Sequence, residues 1–173
     1  MFILERHQHF LKEECLLTNT QFMDFSSSYH EGKGEALGEY GYSRDNQHGK
    51  KQITFGISTG INGIPSALTI QKGNVQDKVH FRFMVRMCEA ILEENCLLVF
   101  DCGGNTKENK RLVRDRKFHY LTFKPKKVGS YKILIEQFKT GRKENVTIND
   151  IEYACVKIKN NDEIAYIRHS ESS

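Results

Sequence analysis

No apolar run in the chain approaches the ~20 residues that a membrane-crossing helix needs, and the N-terminus, Met1-Phe2-Ile3-Leu4, is too short to be a signal-peptide core. These absences exclude a membrane as partner and point to a reducing cytoplasm. Paired cysteine spacing is missing too. Cys15, Cys88, Cys96, Cys102 and Cys155 are an odd number with no close pairs, so neither a disulfide framework nor a zinc knuckle is implied. His7 and His9 with Cys15 offer three ligand-type residues, one short of a closed structural zinc site. A flexible linker is lacking, and 173 residues suffice for one main core with a small appendage. Charge of one sign is also scarce. Lys plus Arg total 26 against 22 Asp plus Glu, and a net +4 is too small an excess to argue for nucleic acid by itself.

The distribution of charge says more than its sum. From residue 107 to 143 cations recur at short intervals, Lys124, Lys126 and Lys127 among them, interleaved with Phe118, Tyr120, Phe123 and Tyr131. Such a mixture suits a phosphate backbone with unpaired bases nearby. A solvated helix face would read the same way, and both readings stay open.

Two aspartates carry the chemical signal. Asp24 stands inside Phe22-Met23-Asp24-Phe25-Ser26, and Asp101 ends the run Leu97-Leu98-Val99-Phe100. A carboxylate in or just after an apolar strand is costly to desolvate unless a positive charge meets it. Two of them suggest a divalent cation at one end of a mixed sheet, with the carboxylates within about 8 Å of each other so that one hydrated ion reaches both.

Local patterning supplies the elements between them. Residues 21–28 read as a strand, and 32–49 as a long polar, glycine-dense loop. Residues 52–59 alternate as a half-buried strand, 61–65 form a turn, and 66–71 return antiparallel. Phe81, Met84, Val85, Cys88, Ile91 and Leu92 recur at helical spacing, with Asp77 placed to cap or charge the first turn. Leu97 to Phe100 is continuous enough for a parallel strand buried on both faces. Thr106 is a candidate N-cap for a helix that turns Leu112 and Val113 inward, and 119–123 is a fifth strand. The order strand, strand, strand, helix, strand, helix, strand is that of an RNase H-like mixed α/β sheet: three antiparallel strands, then helix-strand-helix-strand. A β-rich appendage follows, with Val146, Ile148, Ile151, Tyr153, Val156 and Ile158 as short strands. The expected division is a core over 1–125, and a basic connector with the start of a β-rich insertion over 126–173.

Asp24 followed by Ser26, Gly41-Tyr42-Ser43-Arg44-Asp45 with Gln52, Gly73-Asn74 with Asp77, and Asp101-Cys102-Gly103 followed by Glu108-Asn109 occur in that order. Together they resemble DDE-type insertion-sequence transposases over roughly Thr20 to Phe123. The resemblance implies metal-dependent cleavage and strand transfer of DNA at transposon ends, with Mg²⁺ or Mn²⁺ as cofactor. It maps the first two acids to Asp24 and Asp101, as catalytic residues and metal ligands. It further implies DNA and a second copy of the chain as partners, in a prokaryotic cytoplasm at the nucleoid. Lys124, Lys126 and Lys127 are the candidate DNA contacts.

The family's third acid lies on a late helix, within a Tyr-x2-Arg-x3-Glu-x6-Lys type pattern, and this sequence has no such run. Glu136 follows Tyr131, but Leu134 stands where the Arg belongs. The expectation is a truncated or split frame, inactive for want of the glutamate helix. Two alternatives remain: another metal-dependent nuclease of this fold with Glu136 as third ligand, or a non-catalytic DNA-binding remnant. Arg44 and Asp45 are read as a pair fixing their loop, His48, Lys50 and Lys51 as solvated, Asp77 as a cap rather than a ligand, and Cys102 as packing.

Overall fold

The computed structural model describes residues 2–29, 36–41, 49–124, 128–160 and 163–168. The chain falls into two compact units, Met1–Pro125 and Lys126–Ser173.

The first unit begins with helix α1 (Phe2–Glu13) and contains strands β1 (Thr20–Tyr29), β2 (Glu39–Tyr40), β3 (Lys51–Gly60) and β4 (Pro65–Lys72). Helix α2 (Asp77–Glu89), strand β5 (Leu97–Phe100), helix α3 (Lys107–Asp115) and strand β6 (His119–Thr122) complete it. The strands form one mixed sheet in which β3 lies between β1 and β4, both antiparallel to it, and β1, β5 and β6 run parallel. Short β2 pairs with the start of β3, inside the stretch expected to be loop. This is the RNase H-like order anticipated from the sequence.

Period-two alternation explains which face is buried. Gln21, Met23 and Phe25 of β1 and Leu98 and Phe100 of β5 point into the core, where Phe81, Met84, Val85 and Cys88 of α2 and Val113 of α3 meet them. The Phe81 ring lies 4.4 Å from that of Phe100 and 6.3 Å from that of Phe25, at tilted angles aromatic pairs favour. Burial pushes the Cys88 thiol up to about 12, which leaves it inert packing. β5 is not fully buried on both sides: Leu97 and Val99 are half-exposed.

The apolar residues of β3 do not line its deepest face. Gln52, Thr54, Gly56 and Ser58 do, while Ile53, Phe55 and Ile57 lie half-buried on the other. Gly56 is required there, because a β-carbon would stand 2.7 Å from the Phe25 ring and 2.9 Å from Thr69 Oγ1. The polar atoms are satisfied within the layer. Ser58 and Ser66 hydroxyls donate to Gln21 Oε1 at 3.1 and 2.6 Å, and Gln21 Nε2 donates to the Thr18 carbonyl at 2.9 Å. Helix α1 closes over β4, with Leu11 buried and Gln8 Nε2 donating to the Ser66 carbonyl at 3.1 Å.

The second unit opens with helix α4 (Val128–Thr140), so the stretch read as a connector contains a helix. Strands β7 (Lys143–Ile148), β8 (Ile151–Asn160) and β9 (Glu163–Arg168) follow as an antiparallel sheet in chain order. Asn149 and Asp150 both have positive φ, 50° and 62°, the geometry of a two-residue primed hairpin turn. Val156 is buried, and Gly141 admits its side chain at the end of α4.

Candidate metal centre

β1 and β5 pair in parallel from Thr20↔Leu97 to Met23↔Phe100. Asp24 is the next residue of β1 after the last paired position, and Asp101 is the residue that follows β5, on the neighbouring strand. Alternation turns Asp24 to the face opposite Met23, in the middle of β1, while Asp101 stands at the carboxyl end of β5. Ligand sites in open α/β sheets gather at such ends. Both carboxylates are exposed. Water therefore solvates them, and the desolvation argument drawn from their apolar flanks does not hold. Each accepts a local backbone hydrogen bond: Phe25 N–H donates to Asp24 Oδ1 at 2.9 Å, and Gly103 N–H donates to Asp101 Oδ1 at 3.0 Å.

Asp101 is held by the chain around it. Thr122 Oγ1 donates to its carbonyl at 2.9 Å, tying β5 to β6, and Asn105 Nδ2 donates to the Phe123 carbonyl at 2.8 Å. The turn after Asp101 is fastened from below by Asn109, a fully buried side chain. Its Nδ2 donates to the Gly104 carbonyl at 3.0 Å and to the Lys78 carbonyl at 2.9 Å, while Arg82 Nε donates to its Oδ1 at 3.2 Å. Thr106 accepts from the Asn109 N–H at 3.1 Å, as an N-cap should. Asn109 was visible in the sequence only as part of Glu108-Asn109. Its position three residues after a capping threonine on an amphipathic helix was the one local hint.

Of the two roles expected of Asp77, it charges the first turn of α2 and does not cap it. Gln76 is the N-cap of α2, without a side-chain cap bond, and Asp77 is the first helical residue, half-buried and favourably placed for the helix dipole. Its carboxylate reaches the Asp101 turn. A β-carbon on Gly103 would stand 2.9 Å from Asp77 Oδ2 and 3.2 Å from Asp101 Oδ1, so the two oxygens lie within about 6 Å of each other. Among the described residues, no three His, Cys, Asp or Glu side chains surround a common point.

The remaining sequence candidates divide. Lys124 is exposed just after β6, whereas Lys126 and Lys127 lie outside the described residues, as do Arg44, Asp45 and His48. Lys51 is exposed over the Tyr40 ring, and Lys50 sits 4.5 Å from the Tyr29 ring centre. Glu136 is exposed on α4 in the second unit. Cys102 is exposed in the turn rather than packed. His7 Nε2 lies 2.7 Å from the Pro65 carbonyl and His9 pairs with Glu13 at 3.0 Å, which gives both histidines structural partners. Gly41 and Gly73 explain their motifs by packing: side chains there would collide with Gly73 O and Gln52 O, respectively, and Gln52 Nε2 donates to the Gly73 carbonyl at 2.9 Å.

No protein-family model and no curated protein matches the chain. Among solved structures it is similar to a piggyBac transposase in a synaptic complex with hairpin DNA, at TM-score 0.50 and 12% identity over 90% of this chain and 34% of that one. A Mos1 transposase paired-end complex with the left transposon end matches at TM-score 0.42 and 7% identity, over 80% of this chain and 53% of that one. The chain thus spans about a third of the piggyBac transposase chain and half of the Mos1 chain. At these identities the likeness concerns the fold. No described helix is long and apolar enough to cross a membrane.

Proposed function

We propose that the chain carries the first two acids of a DDE-type transposase core, whose activity is metal-dependent cleavage and strand transfer of DNA at insertion-sequence ends. The observation that supports this reading is the parallel β1–β5 pairing, whose last step, Met23↔Phe100, immediately precedes Asp24 and Asp101. The residues fit a hard divalent cation. Their donors are carboxylate oxygens, which suit Mg²⁺ or Mn²⁺, and the glycine at 103 leaves open the space a side chain would fill. When bound, such a cation activates a water or 3′-hydroxyl and stabilises the leaving oxygen. The chain's part is to hold Asp24 at mid-sheet and Asp101 in a turn pinned by Thr122 and Asn109. Lys124, Lys126 and Lys127 contact phosphates, and a second copy joins at paired DNA ends, in the nucleoid.

Two strand-borne carboxylates supply one ion, whereas the two-ion arrangement needs a further acid. The 173-residue chain therefore binds DNA and cation without cutting. The test incubates the chain and its Asp101→Ala variant with labelled duplexes from the DNA flanking the reading frame, in Mg²⁺ and Mn²⁺. DNA binding without nicking is expected. Cleavage abolished by Asp101→Ala would show a complete site in this chain and favour the nuclease reading, with Glu136 as the next residue to replace. Absence of both DNA and cation binding would overturn the proposal.

A further inference from the structure

We infer that the open face of the second unit's sheet is a binding platform for single-stranded DNA, with Tyr153 and Tyr166 as base-stacking rings and Lys157, Lys159 and Arg168 as phosphate contacts. The choice of DNA rests on the transposase reading above. The platform itself uses neither Asp24 nor Asp101 and lies wholly within the second unit.

The strand register divides the side chains of this sheet between two faces. Directly paired residues of antiparallel strands share a face, so Lys143, Val156 and Ile167 form a row on one side. Helix α4 covers that side. Val156 is buried, its Cγ1 would collide with a β-carbon at Gly141, and Lys143 Nζ stands 5.2 Å from the Phe138 ring centre. Alternation sends Val146, Ile148, Ile151 and Tyr153 to the other side, followed by Lys157 and Tyr166. This second face is open: Ile148, Ile151 and Ile164 are exposed, and Tyr166 keeps 60% of its surface in water.

Its chemistry suits a polyanion with exposed bases. The Arg168 guanidinium lies 4.4 Å from the Tyr153 ring centre, and Lys157 Nζ lies 5.9 Å from that of Tyr166. Each ring therefore carries a cation beside it, placed for the phosphate of a nucleotide whose base stacks on the ring. Lys159, opposite Ile164, adds a third cation, against one carboxylate on this face, Glu144. The other two strand-borne acids, Glu152 and Glu163, are sorted by the register to the α4 side. Tyr166 lies opposite Lys157, four residues along β8 from Tyr153, which separates the two rings by about 13 Å. Stacked nucleotides rise ~3.4 Å each, so one strand spans the rings in roughly four steps. A duplex keeps its base faces stacked inside, whereas an unpaired strand offers them to the rings.

The test is fluorescence anisotropy of the full chain with a labelled oligodeoxythymidylate of about 15 nucleotides, with oligouridylate and duplex DNA of equal length as further arms. Tyr153→Ala and Tyr166→Ala should each weaken single-strand binding about 5-fold or more, the loss of one stacked base. Tyr153→Phe and Tyr166→Phe should keep it, because they keep the ring. Replacing Lys157, Lys159 and Arg168 by Gln should make the salt dependence shallower by about two units, at ~0.7 per contact on a single strand. The chain has no tryptophan, so its tyrosine emission is read directly. The oligonucleotide should quench that emission, and less so in the two Phe variants, a difference that misfolding does not produce. Unchanged affinity in both Ala variants, equal losses in the Phe variants, or tighter binding of oligouridylate or duplex would each overturn the inference. Binding that falls on replacing Lys124, Lys126 and Lys127 but not the rings would sink this inference alone. Single-strand binding that needs the rings, without binding of duplex or cation, would uphold it and remove the transposase reading. A chain that sediments as a dimer, becomes monomeric in Tyr166→Ala and binds no oligonucleotide would give the face to a second copy instead.

Discussion

Replacing Asn109 by Ala should be the most damaging polar substitution in the first unit. The side chain is fully buried and its amide satisfies two backbone carbonyls, at Lys78 and Gly104. Truncation removes a donor from each, but the Gly104 carbonyl still accepts from Thr106 N–H at 2.9 Å, so each loss is that of one net hydrogen bond, ~0.5–1.5 kcal/mol. Arg82 is exposed and recovers a water, so its lost bond adds little. The N-cap bond persists, because it uses the Asn109 backbone N–H. The sum is about 1–3 kcal/mol. For a unit of this size, each kcal/mol lowers the midpoint by roughly 3–5 °C, which places the variant about 3–15 °C below wild type. Far-UV circular dichroism on heating, with urea unfolding as a second measure, reads the change. Asn109→Asp is the sharper control: it keeps an acceptor for Arg82 but sets oxygen against both carbonyls, and should cost more than Ala. A midpoint shift below about 2 °C for Asn109→Ala, or an Asp variant no worse than Ala, would refute the account of how the Asp101 turn is held.

His80 should make stability depend on pH. It is fully buried, its Nε2 lies 2.8 Å from Thr69 Oγ1, and its Nδ1 has no hydrogen-bond partner among the described residues. Desolvation by burial outweighs the Thr69 hydrogen bond and lowers its pKa below the ordinary 6.5. The unfolded chain then takes up the proton first, so unfolding free energy is fully retained above pH 6.5 and declines as pH falls from there toward the folded value. Urea midpoints measured across that window should show the slope, and His80→Gln, which does not titrate, should flatten it. Asp24→Asn should weaken Mn²⁺ binding by removing the charge of one ligand, and equal affinity in titrations of both proteins would discount that role. If Lys124, Lys126 and Lys127 contact phosphates, replacing all three by Ala should make the salt dependence of DNA affinity shallower by about two to three units, at ~0.9 per contact. An unchanged slope in filter-binding or anisotropy titrations would return them to a solvated face.

Local sequence determined the elements wherever one side of an element is apolar at a single period. β1, β4, α2, α3 and β6 follow from spacing alone, and Thr106 announces the start of α3 because capping is a contact over three residues. The aspartates were legible for the same reason: a charge at the end of an apolar run interrupts a local pattern. α1 was not, because the residue at its contact with β4 is Gln8, polar in sequence and buried only through the Ser66 carbonyl. α4 was obscured by the cations around it, which read equally well as a connector. The deep face of β3 ran against hydrophobicity, since Gly56 and Ser58 make room for Phe25 and donate to Gln21, residues of another strand. Tertiary structure alone decided what surrounds Asp101. That Asp77 stands across Gly103, and that Asn109 joins Lys78 to Gly104, depends on bringing residues about 25 to 30 positions apart into contact, and no periodicity within one element encodes such distances.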